Sequence, residues 1–239
     1  MSTESPTGGR TRNERAHAGR VRRPALIAVT VQIVIYTSLP SDLIVGPRQV
    51  LPILALLLLV PLALVSRSHG RAASNPARVA ALTLILLITV VNTVSLGLLV
   101  HAIVSGRAED GGALLLAAAQ VWVTNVISFA LVFWELDRGG PLARATLPRD
   151  QLPAADFRFP QDEDDDAIRE VAIGSAASSD WRPGFVDYLY VSLTNSSAFS
   201  PTDTMPLTTR VKILMGIAST EALMLSLLVV AQAVSLIGG

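Results

Sequence analysis

Glu221 lies near the middle of the last apolar stretch of the chain, in a helix that opens on the basic pair Arg210 and Lys212 and ends near Ile237. An ionised side chain at that depth is expensive unless it is paired or faces water. Two roles fit the residue type: a cation or proton site facing a central cavity, or a neutral hydrogen-bond donor between helices. Upstream, Thr194, Asn195, Ser196, Ser197, Ser200, Thr202, Asp203 and Thr204 form a dense run of hydroxyl, amide and carboxylate oxygens. Irregular backbone survives at membrane depth only when it is buried in protein or lines water. The run therefore marks either a hydrated path or a capped helix reversal. Asp203 and Thr204 are suited to cap a helix beginning near Pro206, and the two roles are compatible.

Other polar residues point to packing before chemistry. Asn92, Gln120 and Asn125 sit within apolar runs and are expected to make interhelical hydrogen bonds. Trp134, Trp122, Trp181, Tyr188 and Tyr190 suit interface anchors or packing aromatics. The acidic run from Asp162 to Asp166 could attract divalent cations, but it lacks the glycine and the spaced carboxylates of a calcium loop. A solvated face is the favoured reading. With no cysteine there is no disulfide, thiolate nucleophile or Cys-based metal site, and His17, His69 and His101 fall in separate segments. No nucleophile–base pair, phosphate-cradling glycine loop or metal motif is present, so neither an enzyme, a cofactor nor a metal is expected.

These residues must be positioned by helices. Half of the sequence is hydrophobic (51%) and only 16% is charged, against about a quarter in soluble domains. The apolar residues gather in near-continuous blocks, the pattern of an integral membrane protein. Residues 1–23 read as a disordered basic cytoplasmic tail. Residues 24–134 read as a four-helix transmembrane region with runs at Ala25–Leu39, Val50–Val65, Val79–Val104 and Ala113–Trp134. Residues 135–183 read as an acidic cytoplasmic linker, with a short helix allowed from Asp164 to Ile173, and residues 184–239 as a helix–loop–helix. The fold class is an all-α integral membrane protein, a bundle of five to six transmembrane helices.

Basic residues set the orientation. The tail and the loop Ser66–Arg78 are rich in arginine, whereas the loops around Arg48 and Arg107 carry one each, which puts the N-terminus inside. After four crossings the 135–183 linker is also inside. Phe185–Ser200 is then either a short fifth crossing, giving six with both termini inside, or a half-helix entering from the cytoplasm, giving five with the C-terminus outside. Six is favoured by a small margin. Zero net charge gives no global field to recruit nucleic acid.

The stretch Phe185–Ile237 resembles the pore helix, selectivity filter and inner helix of potassium-channel pore domains. Aligned on Asp203, the hydroxyl pair falls at Ser197 and Ala198, the filter at Phe199-Ser200-Pro201-Thr202, and Pro206 and Arg210 follow. One hydroxyl is kept and both filter glycines are absent, so potassium selectivity is not expected. Most of the chain is also similar, loosely, to a family of uncharacterised bacterial integral membrane proteins. The resemblance implies a channel-like inner-membrane protein, homo-oligomeric and tetrameric if it follows the channels. The expected path for a cation or small solute runs along Thr194–Thr204 and Glu221. The alternative is a non-conducting scaffold whose acidic linker recruits a cytoplasmic partner.

Overall fold

Long apolar runs fold as helices in lipid because a helix satisfies its backbone N–H and C=O groups within one segment. The computed structural model describes residues 24–38, 52–54, 56–57, 75–105, 111–163, 168–197 and 203–238. The chain is mostly helical. The described helices include α1 (Pro24–Thr37), α2 (Asn75–Val104) and α3 (Gly111–Leu136), with residues 52–54 and 56–57 also helical. They are followed by α4 (Gly140–Thr146), α5 (Arg169–Ala172), α6 (Ala176–Ser179), α7 (Phe185–Ser197) and α8 (Thr209–Gly238).

Among the described residues, α2, α3 and α8 are long and apolar enough to cross a membrane. At 1.5 Å per residue they measure about 39–45 Å, against about 30 Å of hydrocarbon, whereas α1 reaches only about 21 Å. The architecture is thus all-α and consistent with a membrane protein. Most of Val50–Val65, expected as a crossing, and all of the 1–23 tail lie outside the described residues.

Helix directions follow from which residues pack together. Ala25, Ala28 and Val29 of α1 share a core with Ala81, Ile85 and Ile88 of α2 and Phe129–Trp134 of α3. Phe185, Tyr188 and Val191 of α7 join it, with Val211 and Ala218 of α8. A second core holds Tyr36, Leu96, Leu99 and Leu225 against Leu114, Ala117, Ala118 and Val121. The starts of α1, α2, α7 and α8 and the end of α3 therefore lie at one end of the bundle. α3 is central, with 67% of its apolar window buried, while α8 is peripheral, with 22%.

At that shared end, residues 135–163 and 168–183, read from sequence as an acidic linker, pack as a platform of short helices and turns. α3 stops because Arg138, Gly139 and Gly140 take positive φ (48°, 79° and 90°), conformations that suit glycine and reverse the chain. A Cβ on Gly139 would lie 2.8 Å from the Pro153 ring. Phe157-Arg158-Phe159 then alternates inward aromatic with outward charge. Its first two residues form a short strand, β1 (Phe157–Arg158), antiparallel to β2 (Met205–Pro206), with Phe157 opposite Pro206. Phe133, Phe157, Phe159, Tyr188 and Trp181 form a chain of ring contacts with centroids 5.3–6.0 Å apart. The acidic character of this region in sequence hid these aromatics. Within the allowed Asp164–Ile173 helix only Arg169–Ala172 is helical, followed by a turn at Gly174; residues 164–167 lie outside the described residues.

Tyr188 sits on the platform beside Asp137, and Asn195 reaches Met215 and Ser219, partway up α8. By Met205–Leu207 the chain is back on the platform, where the Leu207 N–H donates to the Asp156 carbonyl at 2.8 Å. At 13 residues α7 is about 20 Å long, against about 30 Å of hydrocarbon. Both described flanks of this segment are tied to the same end of the bundle.

Candidate functional site

The interior of the bundle carries a polar seam. Gln120, Thr124 and Ser128 follow one another at four-residue intervals on α3, which stacks them on one face over about 12 Å. Each bonds a neighbouring helix. Gln120 donates to the Ser38 hydroxyl at 3.0 Å, Thr124 donates to Asn92 Oδ1 at 2.7 Å, and Gln32 donates to the Ser128 hydroxyl at 2.7 Å. Asn92 also donates to Asn125 Oδ1 at 3.2 Å. The three amides expected to join helices, Asn92, Gln120 and Asn125, do so.

Glu221 enters this seam from α8. It is buried, its Oε1 lies 2.9 Å from the Thr93 hydroxyl, and Asn125 stands beside it. Thr93 is also 3.0 Å from the Thr89 carbonyl. A hydroxyl has a single proton to donate. Ionised Glu221 would draw that proton, whereas protonated Glu221 would donate to Thr93 and release the Thr93 proton to Thr89. The pair is thus built to accommodate both charge states. Glu221 Oε2 is buried without a hydrogen bond of ordinary geometry among the described residues.

The oxygen-rich run divides. Thr194, Asn195, Ser196 and Ser197 form the last turn of α7, Ser200 and Thr202 lie outside the described residues, and Asp203 and Thr204 precede β2. Thr194 and Ser197 return their hydroxyls to carbonyls of their own helix. Asn195 donates to the Met215 carbonyl at 3.0 Å and accepts from Ser219, fastening α7 to α8. The Ser196 hydroxyl is buried without a partner among the described residues. Asp203 is exposed, Thr204 is buried, and α8 starts at Thr209 rather than near Pro206, because Met205 and Pro206 are held in β2.

The platform holds the acidic side chains that sequence reasoning missed. Asp137 is fully buried: Oδ1 accepts from the backbone N–H of Asp156 at 2.6 Å, and Oδ2 accepts from Arg138 at 3.0 Å and from the Tyr188 hydroxyl. Burial above all pushes the Tyr188 phenol well above its ordinary value, with the Asp137 carboxylate adding to the rise, so Tyr188 remains a donor. Burial likewise raises the Asp187 carboxyl, which accepts from the Gly184 N–H at the start of α7. Asp156, also fully buried, accepts from Thr208 and from two nitrogens of Arg210. The available signals were Leu-Asp-Arg-Gly-Gly directly after an apolar helix and the period-2 alternation of Phe157-Arg158-Phe159. Trp134, expected at the membrane interface, is instead fully buried against Phe185, because α4 and α7 close over the end of α3.

No group of three or more potential metal ligands occurs among the described residues. No family model matches the chain, and neither a curated protein nor a solved structure is similar to it.

Proposed function

We propose that this chain is a bacterial inner-membrane protein of five crossings that passes protons or another small cation weakly along the seam between α2, α3 and α8, with Glu221 as the exchangeable site. The observation that supports this reading is the Thr93–Glu221 contact, a carboxyl buried at mid-helix that accommodates gain or loss of a proton. Interhelical hydrogen bonds alone would be satisfied by amides and hydroxyls, as elsewhere in the seam. The arginines of the platform and Arg78, whose guanidinium reaches the carbonyls at the end of α3, favour the platform end as cytoplasmic. The N-terminus is then inside and the C-terminus outside. α7 becomes a re-entrant half-helix from the cytoplasmic face, the reverse of a potassium-channel pore helix. Four copies about an axis remain the assembly that the channel resemblance implies.

A non-conducting scaffold is the second reading. It is favoured by the way Thr194 and Ser197 turn their hydroxyls inward on their own helix. Its cytoplasmic partner would meet the platform.

Proteoliposomes containing the whole chain separate the two. Flux of protons, sodium or potassium above that of empty vesicles, reduced about tenfold or more by Glu221→Gln, is the expected result. Wild-type flux no greater than that of empty vesicles across voltage and pH would leave the scaffold. Equal flux in the wild type and the variant would remove Glu221 from the path.

A further inference from the structure

Beyond the end of α3 the platform carries a half-open cavity of about 150 Å³. Its wall includes Arg138, Arg144, Arg149 and Arg182, with Trp181 and Leu152, and two prolines complete it. Among the described residues, no carboxylate lines it. At about 30 Å³ per water molecule the space holds about five waters, or one phosphate group with part of its hydration.

Four arginines of the wall share three ion-paired carboxylates, and Arg144 acts at longer range on a fourth, Asp187. Arg138 pairs with Asp137 and Asp162, Arg149 with Asp162, and Arg182 with Asp180. Arg144 has no carboxylate within ion-pair distance among the described residues. Its terminal nitrogens are spent on the carbonyls of Asp137 and Trp134, it is 2% exposed, and its Nε is buried with no hydrogen-bond partner among the described residues. A buried donor left unmade is costly, and a charged one more so. Two other guanidiniums are pinned by backbone carbonyls, Arg149 to Trp181 at 3.0 Å and Arg182 to Leu147 at 2.9 Å, and Arg138 is held by Asp137 and Asp162. The cluster is therefore preorganised before any ligand arrives, and planar guanidinium donors match phosphate oxygens.

We propose that this cavity is a binding site for a phosphate-type oxyanion, either the headgroup of an anionic phospholipid or a free phosphate. Its place at the end of α3, where Arg144 holds the Trp134 carbonyl, brings it to the level at which lipid headgroups lie. The site is independent of conduction through the bundle.

Trp181 supplies the readout for the whole chain in detergent, titrated with inorganic phosphate, with dihexanoyl phosphatidic acid and with dihexanoyl phosphatidylcholine. A saturable change in tryptophan fluorescence that Trp181→Phe abolishes is expected. Arg149→Gln should weaken it by about tenfold. Leu152→Asp keeps every arginine but adds a carboxylate to the wall, and should abolish binding while the unliganded protein keeps its melting temperature. Phosphatidic acid binding at least about tenfold tighter than inorganic phosphate, with phosphatidylcholine inert, assigns the site to lipid. Equal affinities for the two phosphates assign it to free phosphate. No saturable binding of either phosphate, or binding unchanged by both Arg149→Gln and Leu152→Asp, overturns the proposal.

Discussion

Asp156 and Arg210 form a side-on pair in which Nε and a terminal nitrogen of the guanidinium meet the two oxygens of a carboxylate with no exposed surface. The pair joins the platform to the first turn of α8, across 54 residues of sequence. Removing one partner of a charged hydrogen-bonded pair costs about 1.5–3 kcal/mol. Arg210 is half-exposed, so water offsets part of that. A double-mutant cycle of Asp156→Ala and Arg210→Ala, read by unfolding in detergent, should give a coupling of about 1 kcal/mol or more. Additive losses would mean that the pair does not act as a clamp.

Tyr188 predicts the behaviour at high pH. Its phenol is held above its ordinary value, so the folded state keeps a proton that the unfolded state releases near pH 10. The stability this contributes is complete below about pH 10 and is lost as pH rises from there. Tyr188→Phe should cost about 1–2 kcal/mol at neutral pH, by removing a donor from Asp137, and should flatten the alkaline decline. Parallel alkaline slopes for wild type and variant would contradict this.

Gly139→Ala should destabilise the protein by about 1–3 kcal/mol, because the new methyl would meet the Pro153 ring while the backbone stays at φ 79°. Gly216→Ala is the control, since nothing lies within 4 Å of the added atom. A cost for Gly139→Ala no larger than for Gly216→Ala would show that the reversal after α3 is not constrained in this way.

The absence of cysteine makes the half-helix directly testable. Asp150→Cys, Asp203→Cys and Ser105→Cys each alter an exposed position. A membrane-impermeant thiol reagent should label the first two from the same side of the bilayer and the third from the other. Labelling of positions 150 and 203 from opposite sides would restore a full crossing by the Phe185–Ser197 segment.

What the sequence disclosed follows what periodicity and hydropathy can encode. Val79–Val104 and Ala113–Trp134 announced α2 and α3 within a few residues, because unbroken apolar length is a property of a single segment. Asn92, Gln120 and Asn125 were legible as interhelical bonds for the same reason: a polar group in lipid has few other uses. The platform was not legible, because its stability lies in pairs far apart in sequence, such as Asp137 with Tyr188. A charged linker and a charged ordered unit have the same composition. That both flanks of Phe185–Ser197 lie at one end was hidden likewise, since it rests on where Met205 and Pro206 pair, not on the segment's own residues.

α8 is clamped at its foot by Asp156 and β2, while most of its upper length faces away from the bundle. A helix held most firmly at its foot is freer to tilt about that point than to slide along its axis. Glu221 stands eleven residues beyond Arg210, a lever arm of about 16 Å, so a tilt of about 10° would swing its carboxyl by about 3 Å. That stroke would break the 2.9 Å contact with Thr93, coupling the protonation of one buried acid to the lean of a whole helix.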